Sequence, residues 1–388
     1  MPQKIPFNRP FVSGPELDNI RLAIDAGHLS GDGQFTARCS QWLAENTRAT
    51  RALLTHSCTA ALEMAALLAD IGPDDEIIMP SYTFVSTANA FVLRGARPVF
   101  VDIRPDTLNL DESLIDAAIT SRTKAIVPVH YAGVACEMDA IIETAMRHDL
   151  LVIEDAAQSV LSTYKGRPLG SFGDMGALSF HETKNVMSGE GGALLLRDER
   201  FVQRAEIIRE KGTNRSAFFR GEVDKYTWID VGSSYLPSEL IAAFLWAQLE
   251  RCEQLTNRRL AMWKRYHDAF ADLEAEGLVR RPIVPPHCTH NAHMYYLILP
   301  SLEIRRRVLE QFSTAGIGAI FHYVPLHSAP AGRRYGRAFG SLPFTEAAGE
   351  RLLRLPLWFG LEDRLDSIVE SARESIVQHS RPVGACLA

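Results

Sequence analysis

The residue with the clearest chemical potential is Lys184, which ends the run SFHETK over residues 179–184 and precedes the glycine-rich segment 188–192. Upstream, an apolar run ends in acid at Asp155. A lysine can form a Schiff base, an aspartate can pair with a pyridinium nitrogen, and the Ser179 hydroxyl can reach a phosphate. These groups are what a pyridoxal phosphate (PLP) site requires, because the paired ring then acts as an electron sink. The sequence therefore predicts a PLP enzyme with Lys184 as its catalytic residue.

Lys184 has a second expected role, as a base. A lysine is most often a solvated surface charge, but this one lies in an apolar, glycine-rich neighbourhood. Burial there lowers the pKa of a lysine and frees its amine as a nucleophile. Once released from the cofactor, the same amine can move a proton between the substrate carbon and the cofactor.

A phosphate-binding turn is predicted over residues 55–62 (THSCTAAL), which follow a strand and open a helix. A helix N-terminus offers unpaired N–H groups and the positive end of a dipole. The Thr59 hydroxyl and the Cys58 and Thr59 amides are the candidate donors. The alternative is that Ser57 or Thr59 only caps the helix, and the second donor, Ser179, favours the phosphate.

Three further candidates lie just after strand ends, where ligands bind in open α/β sheets. Phe84 follows the second strand and can stack on a flat ring, while Tyr82 can equally be a core aromatic. Gln158 follows Asp155 and can donate to the phenolic oxygen of the cofactor. Alternation along a strand points Glu154 to the opposite face, so we expect no catalytic role for it.

The elements that must position these residues are seven short apolar runs with helical patterns between them. Strands that alternate with helices predict βαβ units and a mostly parallel sheet with helices on both faces. The predicted strands are residues 52–54, 76–79, 98–102, 125–129, 151–153, 177–180 and 193–196, and helices are expected at 59–69 and 114–119.

The pattern changes after about Ser238, which we expect to cap one long helix over residues 238–257. Residues 258–276 also have a helical pattern, 294–299 form a strand candidate, and the rest is helix-rich. We therefore predict a large domain over residues 1–248 and a smaller C-terminal α+β domain over residues 249–388.

Composition restricts the class of protein. The chain has 388 residues, of which 46% are hydrophobic and 23% charged, with a net charge of -6. This balance is ordinary for a globular protein, and it gives no basic footprint for nucleic acid. We expect no membrane span, and no signal peptide, since the first ten residues lack an apolar core. The six cysteines show no CxxC pair, which favours free thiols and a cytoplasmic location.

Two other segments allow more than one interpretation. His287, His290 and His293 recur at metal-like spacing, but no acidic ligand accompanies them, so we expect no metal site. The segment 211–220 (KGTNRSAFFR) mixes cations with aromatics. It is either a solvated loop or a site for a phosphorylated or nucleotide substrate, and its aromatics favour the site, with Arg215 and Phe219 as candidates. The first βα unit has no GxGxxG, so a dinucleotide fold lacks its fingerprint.

Several segments resemble the DegT/DnrJ/EryC1/StrS family of sugar-nucleotide aminotransferases over nearly the whole chain. They are residues 82–95 (YTFVSTANAFVLRG), 129–139 (VHYAGVACEMD), 179–185 (SFHETKN) and 206–216 (EIIREKGTNRS). The resemblance implies the PLP-dependent transferase fold type I, an α/β fold whose large domain holds a mostly parallel seven-stranded sheet. It also implies a homodimer whose active sites lie at the interface.

The resemblance assigns roles to individual residues. Lys184 would be the Schiff-base lysine, Asp155 the pyridinium partner, Gln158 a contact of the ring oxygen and Phe84 the stacking ring, while Ser179, Thr59 and the Cys58 amide would hold the phosphate. Ser234 stands where much of the family has an asparagine that reaches the phosphate of the second subunit. His322 and Tyr323 match a segment near the substrate.

The expected reaction follows from the same resemblance. Glutamate would load the cofactor with nitrogen, and C4 of dTDP-4-keto-6-deoxyglucose would receive the amine. A related aminotransferase acting at C3, or on a GDP- or UDP-linked sugar, is the alternative. A sugar dehydratase is less favoured, because such relatives carry histidine in place of Lys184. A non-enzymatic protein that keeps the fold is the remaining hypothesis.

Overall fold

The structure is a computed structural model that describes residues 4–380. Its strands are β1 (Arg51–Thr55), β2 (Glu76–Pro80), β3 (Arg97–Val101), β4 (Thr123–Ile126), β5 (Leu151–Asp155), β6 (Thr163–Tyr164), β7 (Arg167–Pro168), β8 (Met175–Ser179), β9 (Gly192–Leu196), β10 (Cys288–Thr289), β11 (Tyr295–Ile298), β12 (Arg337–Ala338) and β13 (Leu352–Leu355).

Helices separate most of these strands. They are α1 (Glu16–Asp25), α2 (Gln34–Thr47), α3 (Cys58–Leu68), α4 (Val85–Val92), α5 (Ile115–Ala118), α6 (Met138–Arg147), α7 (Val202–Arg209), α8 (Arg215–Phe219), α9 (Glu239–Leu249), α10 (Cys252–Ala269), α11 (Ala271–Ala275), α12 (Leu302–Ala315), α13 (Pro330–Tyr335), α14 (Pro343–Arg351) and α15 (Leu365–Ser380).

The large sheet has the order β1-β9-β8-β5-β4-β2-β3-β12. Its pairs are parallel except those of β9, which runs antiparallel to both neighbours. All seven predicted strands are present, so the mostly parallel α/β fold is confirmed. The eighth strand, β12, pairs with β3 and was not predicted. It has two residues and no apolar run, so the sequence pattern carries no trace of it.

Side-chain alternation along β9 shows how the sheet divides two cores. Leu194 and Leu196 pack in one core with α3, whereas Ala193 and Leu195 pack in the other with α2 and α9. This two-residue period is that of a strand with both faces covered. Eight of the eleven residues of α3 are buried, which fixes that helix firmly against β8 and β9.

A second core forms around the antiparallel pair β11 and β13, and α10, α12 and α15 contribute to it. The strand predicted at residues 294–299 is β11. Short segments connect this core with the large sheet, since Ile5 packs in the second core and β12 joins the first sheet. The division after residue 248 stays a prediction.

The helix predicted over residues 238–257 is wrong in its length, because the chain breaks between α9 and α10 around Arg251, where φ is -117°. The apolar α9 packs in the core beside β9 and α2. In α10, Cys252 still packs in that core, whereas Met262 and Tyr266 pack in the second core. Ser238 holds the N-cap position with extended backbone, but its side chain makes no capping hydrogen bond. Two further predicted helices are also divided: α10 ends before α11, and a 3-10 turn at Glu112–Leu114 precedes α5.

Two findings concern the predicted absence of a membrane span and the predicted free thiols. No helix within residues 4–380 is long and apolar enough to cross a membrane. Cys39, Cys58, Cys136, Cys252 and Cys288 are free thiols. The sixth cysteine, Cys386, lies outside the described residues.

Candidate active site

A cavity of about 520 Å³ lies at the carboxyl ends of the parallel strands. Five parts of the fold meet there: the carboxyl ends of β5 and β8, the turn after β2, the N-terminus of α3 and the loop between β8 and β9. Among its lining residues are the predicted Lys184, Asp155, Gln158, Ser179, Cys58, Thr59, Phe84, His322 and Tyr323. The sheet topology thus brings together side chains that are far apart in the sequence.

Lys184 lies in a loop that its own backbone closes. Its N–H donates to the His181 carbonyl at 2.9 Å, and the Ser188 N–H donates to the Phe180 carbonyl at 2.8 Å. Within residues 4–380, the Lys184 side-chain amine has no hydrogen-bond or ion-pair partner. Burial lowers its pKa, the charge of Arg354 adds to this, and the charge of Asp155 acts in the opposite direction. The amine is therefore easily made neutral and nucleophilic.

Asp155, the last residue of β5, is only 5% exposed and is held by fixed donors. The Thr87 hydroxyl donates to its Oδ2 at 2.6 Å, and the Ala157 N–H donates to its Oδ1 at 3.2 Å. Since Thr87 has one hydroxyl hydrogen, it must accept from Thr83, whose Oγ1 lies 2.8 Å away. The two threonines, of which Thr87 lies in α4, thus hold the carboxylate of a residue that lines the cavity.

The predicted phosphate turn is formed by the start of α3. Ser57 caps the helix, its Oγ accepting from the Ala60 N–H at 3.1 Å. The N–H groups of Cys58 and Thr59 donate to no acceptor within the described part of the chain. A Cβ at Gly192 would lie 2.4 Å from the Cys58 nitrogen, so only glycine lets β9 approach this turn so closely. Ser57 therefore caps the helix, and the Cys58 and Thr59 N–H groups remain as donors, so the phosphate contact stays a prediction.

The N-terminus of α4 contacts the N-terminus of α3. The Thr59 hydroxyl donates to the Ser86 Oγ at 2.8 Å, and Ser86 lies in the first turn of α4 and also lines the cavity. Neither Ser86 nor Thr87 was predicted. A Ser-Thr pair directly after a strand end and the aromatic Phe84 was the signal that could have identified them.

Aromatic side chains form one wall. Phe84 is 57% exposed although it lines the cavity, and its ring centroid is 6.4 Å from that of Tyr323. Tyr323 stacks on His322 at 3.6 Å. Tyr82 is 1% exposed and packs in the core around these rings. It is therefore a core aromatic. Phe84 therefore offers a free face to a flat ligand.

Gln158 connects this wall to the end of β5. Its Oε1 accepts from the Ala132 N–H at 2.7 Å, and its Nε2 donates to the Tyr323 hydroxyl at 2.9 Å. The second Nε2 hydrogen is available to a ligand. Burial lowers the pKa of His322, which is hydrogen-bonded at Nδ1 to the Tyr131 hydroxyl at 2.7 Å. A neutral imidazole therefore stands beside the cavity at neutral pH.

These residues fit PLP. The turn at α3 has unpaired N–H donors for a phosphate, Asp155 is a fixed carboxylate for a ring nitrogen, and Phe84 leaves one aromatic face open. Lys184 supplies an unpaired amine for covalent attachment. Burial raises the pKa of the Cys58 thiol, and the charge of Asp155 adds to this, so Cys58 stays a thiol and does not compete as a nucleophile.

Glu154 points away from the cavity, as predicted. Its carboxylate accepts from the Gly170, Phe172 and Gly173 N–H groups at 2.6–2.9 Å and pairs with His130 at 2.9 Å. It holds the loop that precedes β8, so its role is structural.

Three predicted residues lie outside the cavity in this chain. Arg215 and Phe219 line a separate cavity of about 680 Å³ beside α2 and α7. The Arg215 guanidinium lies 3.3 Å from Glu210 and 4.8 Å from the centre of the Phe219 ring. Ser234 is exposed, and its backbone forms an isolated antiparallel β-bridge with Glu210. Since the resemblance gives Ser234 a contact across the subunit interface, its role stays a prediction.

The histidine triplet diverges into three environments. His287 bonds to Glu137 at 3.0 Å, His290 packs edge-on against Trp263, and His293 bonds to Asn185 at 3.2 Å. Within residues 4–380, no group of three or more His, Cys, Asp or Glu side chains could hold a metal ion.

Two arginines that the sequence did not single out also line the cavity, Arg259 from α10 and Arg354 from β13. Both come from the second core, far along the chain from Lys184. No local pattern around either one indicated a site, because only the packing of the two cores brings them to the cavity.

Comparison with known proteins gives a consistent result. A model of the DegT/DnrJ/EryC1/StrS aminotransferase family matches residues 13–373. The chain is 37% identical to an uncharacterised protein of Methanocaldococcus jannaschii, over 97% of this chain and 98% of that one. It is 34% identical to the spore coat polysaccharide biosynthesis protein SpsC of Bacillus subtilis, over 96% and 97%.

Solved structures agree. The aminotransferase TlmJ from Streptoalloteichus hindustanus superposes with a TM-score of 0.88 at 30% identity, covering 96% of this chain and 99% of that one. The PLP form of Spr1654 from Streptococcus pneumoniae superposes with a TM-score of 0.89 at 26% identity, covering 97% and 99%.

Proposed function

Because this chain belongs to the DegT/DnrJ/EryC1/StrS aminotransferase family, we propose that it transfers an amino group from L-glutamate to C4 of dTDP-4-keto-6-deoxyglucose. The products are dTDP-4-amino-4,6-dideoxygalactose and 2-oxoglutarate. The coarser activity, that of a PLP-dependent sugar aminotransferase, is the activity of the family and of its structural neighbours.

One observation carries the chemistry: an unpaired lysine amine with a lowered pKa lies in the same cavity as a carboxylate fixed by two donors. When bound, PLP supplies an electron-withdrawing ring that stabilises negative charge at the reacting carbon. Lys184 would hold the cofactor covalently, and once released its neutral amine could take a proton from the donor carbon and deliver it to the cofactor. Thr87 and the Ala157 N–H hold Asp155 in place throughout.

The other residues would position the cofactor and enclose it. Cys58, Thr59 and Ser179 would hold the phosphate, Phe84 would cover one face of the ring, and Gln158 would contact the ring oxygen. His322 and Tyr323 lie beside the space that is left for the sugar. A neutral His322 can donate or accept a hydrogen bond there without adding charge.

The sugar assignment rests on resemblance. The segments around Tyr82, Val129, Lys184 and Arg215, with residues 232–236 (GSSYL), are similar to those of dTDP-4-amino-4,6-dideoxygalactose transaminase, which supplies an aminosugar to enterobacterial common antigen. The name of SpsC refers to polysaccharide biosynthesis, which supports a glycan role. The alternative is amination at C3, or of a GDP- or UDP-linked keto sugar.

We also propose a homodimer with shared active sites, in the cytoplasm. Phe219, Trp228 and Ile229 are 67%, 78% and 55% exposed in the single chain, and a partner would cover them. Ser234, Arg215 and Phe219 would then serve the partner's phosphate and substrate. Free thiols fit a reducing compartment. Light scattering should give twice the chain mass, and a monomeric holoenzyme with full turnover would contradict the shared sites.

The test of function is product identification by NMR. Purified protein with PLP, glutamate and dTDP-4-keto-6-deoxyglucose should give 4-amino-4,6-dideoxygalactose linked to dTDP. A C3 amine, or an equatorial C4 amine, would contradict the proposed product while keeping the family. Lys184→Ala is the matched control and should form no product.

A further inference from the structure

Arg354 is a cationic residue of the cavity whose donors are mostly unused. Its Nε reaches the Phe321 carbonyl at 3.4 Å, which is a long hydrogen bond. Its guanidinium lies 4.8 Å from the centre of the Phe7 ring, and Phe7 also lines the cavity. Across residues 4–380, Arg354 has no carboxylate partner, and its Nη1 and Nη2 donate to no protein acceptor.

The other arginine of the cavity differs in this respect. Arg259 donates from Nε to the Ala292 carbonyl at 3.1 Å and from Nη2 to the His293 carbonyl at 2.8 Å. Arg259 is therefore used in fastening two segments of the second core. Arg354 alone of the two keeps a free guanidinium fork.

A rigid element holds Arg354 in place. In β13 its backbone is paired on one side with Tyr296 of β11, and on the other its N–H donates to the Ile320 carbonyl at 2.7 Å. His322 is two residues after Ile320 in the chain. The guanidinium of Arg354 therefore lies near the aromatic wall that His322 and Tyr323 form. Burial lowers the pKa of Arg354, yet arginine stays charged at neutral pH.

We propose that Arg354 binds the α-carboxylate of the amino donor. The planar fork of a guanidinium matches a carboxylate with two parallel hydrogen bonds. A partly buried, unpaired cation beside the reaction centre is costly unless an anionic ligand completes it. This inference deepens the proposed function and rests on it for the identity of the reaction.

The geometry favours a carboxylate over the diphosphate of a nucleotide sugar. Arg354 lines the same cavity as Lys184 and His322, and its charge contributes to the lowered pKa of both, so it lies near the amine that attacks. In an amino acid the carboxylate is attached to the reacting carbon. In a nucleotide sugar the diphosphate is attached to C1, across the ring from the reacting C4.

The test separates the two half-reactions of the holoenzyme. Loss of absorbance of the lysine-bound cofactor on adding glutamate reports the donor half-reaction, which needs no sugar. Arg354→Gln should weaken the apparent affinity for glutamate by about 10- to 100-fold, which is the range for the loss of a charge-assisted hydrogen bond. The rate of the keto-sugar half-reaction should stay within about twofold of the wild-type rate. Arg354→Lys should recover part of the loss. Arg351→Gln, at an exposed neighbour in the chain, is the control and should change neither half-reaction.

Ligand analogues locate the contact without turnover. Wild-type holoenzyme should bind glutarate, a non-reacting dicarboxylate, and Arg354→Gln should lose that binding in calorimetry. Wild type should also discriminate strongly against the α-amide of glutamate, and Arg354→Gln should lose this discrimination. Loss of discrimination against glutamine instead would move the contact to the side-chain carboxylate and overturn the proposal.

Two other outcomes would also overturn it. If Arg354→Gln weakened only the keto-sugar half-reaction, the residue would serve the diphosphate. If it changed neither half-reaction, it would have no ligand role. A failed sugar assignment is distinguishable, since glutamate would still convert the cofactor while no dTDP-aminosugar formed.

Discussion

At the scale of single residues, the cavity makes a positive charge on Lys184 unfavourable. Burial lowers the pKa of Lys184, so the folded protein releases this proton at a lower pH than a free lysine, whose pKa is about 10.4. The neutral amine is the form that attaches PLP. The pH at which attachment becomes fast therefore reports the environment of one side chain.

We expect the rate of covalent PLP attachment to the apoprotein to rise with pH and to level off clearly below pH ~10. Below the lowered pKa the amine is protonated and the rate falls; above it the rate is constant. Stopped-flow absorbance across a pH series measures this, with Lys184→Ala as the blank. A plateau reached only at the pH of ordinary lysine would contradict the lowered pKa.

A second residue-scale prediction concerns Thr87, whose hydroxyl is the one side-chain donor to Asp155 among residues 4–380. Thr87→Val keeps the shape and removes the donor, so the carboxylate loses its orientation. The dissociation constant of PLP should rise by roughly 10-fold, the lower part of the range for a hydrogen bond to a charged group. Thr87→Ser, which keeps the hydroxyl, should bind nearly as wild type. Equal weakening by both variants would mean that the methyl group matters instead.

At the scale of elements, Glu154 fastens the loop before β8 to the end of β5. Although burial alone raises the pKa of a carboxyl, the His130 bond and the Gly173 and Gly170 amides outweigh it and lower the pKa of Glu154. The stabilisation is therefore present at neutral pH and is lost as pH falls below the ordinary carboxyl value of about 4.3.

Glu154→Gln should lower the free energy of unfolding by about 2–4 kcal/mol, because buried N–H groups lose their charged acceptor. Urea unfolding of the holoenzyme measures this, with Glu199→Gln at an exposed turn as the control. The folded fraction should keep its turnover within about threefold. A large loss of turnover with unchanged stability would give Glu154 a chemical role after all.

At the scale of the whole molecule, Glu76 joins the C-terminal part of the chain to the large sheet. It is fully buried at the start of β2 and accepts from Arg337 of β12 at 2.8 and 3.1 Å. Arg122 and Thr120 donate to it at 2.9 and 2.8 Å. Chiefly through the Arg337 hydrogen bonds, the pKa of Glu76 is lowered to about 2.

Glu76→Gln should therefore destabilise the protein at neutral pH by about 2–4 kcal/mol, since a buried ion pair is broken from one side. The depressed pKa means that wild type loses this advantage as pH falls from about 4.3 toward about 2. Chemical unfolding across that range should show the two proteins converging. The exposed Glu303→Gln is the control, and a difference that stayed constant with pH would exclude the ion pair as its cause.

Contacts between distant elements also explain what local patterns missed. Glu239 begins α9, yet its carboxylate accepts from the N–H groups of Gly33, Phe35 and Thr36 at 2.8–3.1 Å and so caps α2. Nothing in the sequence near Gly33 supplies a cap, and nothing near Glu239 shows that it is one. The same is true of β12 and of the break between α9 and α10, because both depend on which core a segment joins.

The sequence by itself determined the seven strands, the α/β class, the cofactor and the candidate residues Lys184 and Asp155, because strand period, helix-start chemistry and motif spacing are local. Only the tertiary structure decided that Thr87 fixes Asp155, that Arg354 reaches the same cavity, and that Arg215 and Phe219 line another. Those relations depend on chain crossings of the sheet and on the packing of two cores. A linear pattern carries little information about contacts between residues so far apart in the chain.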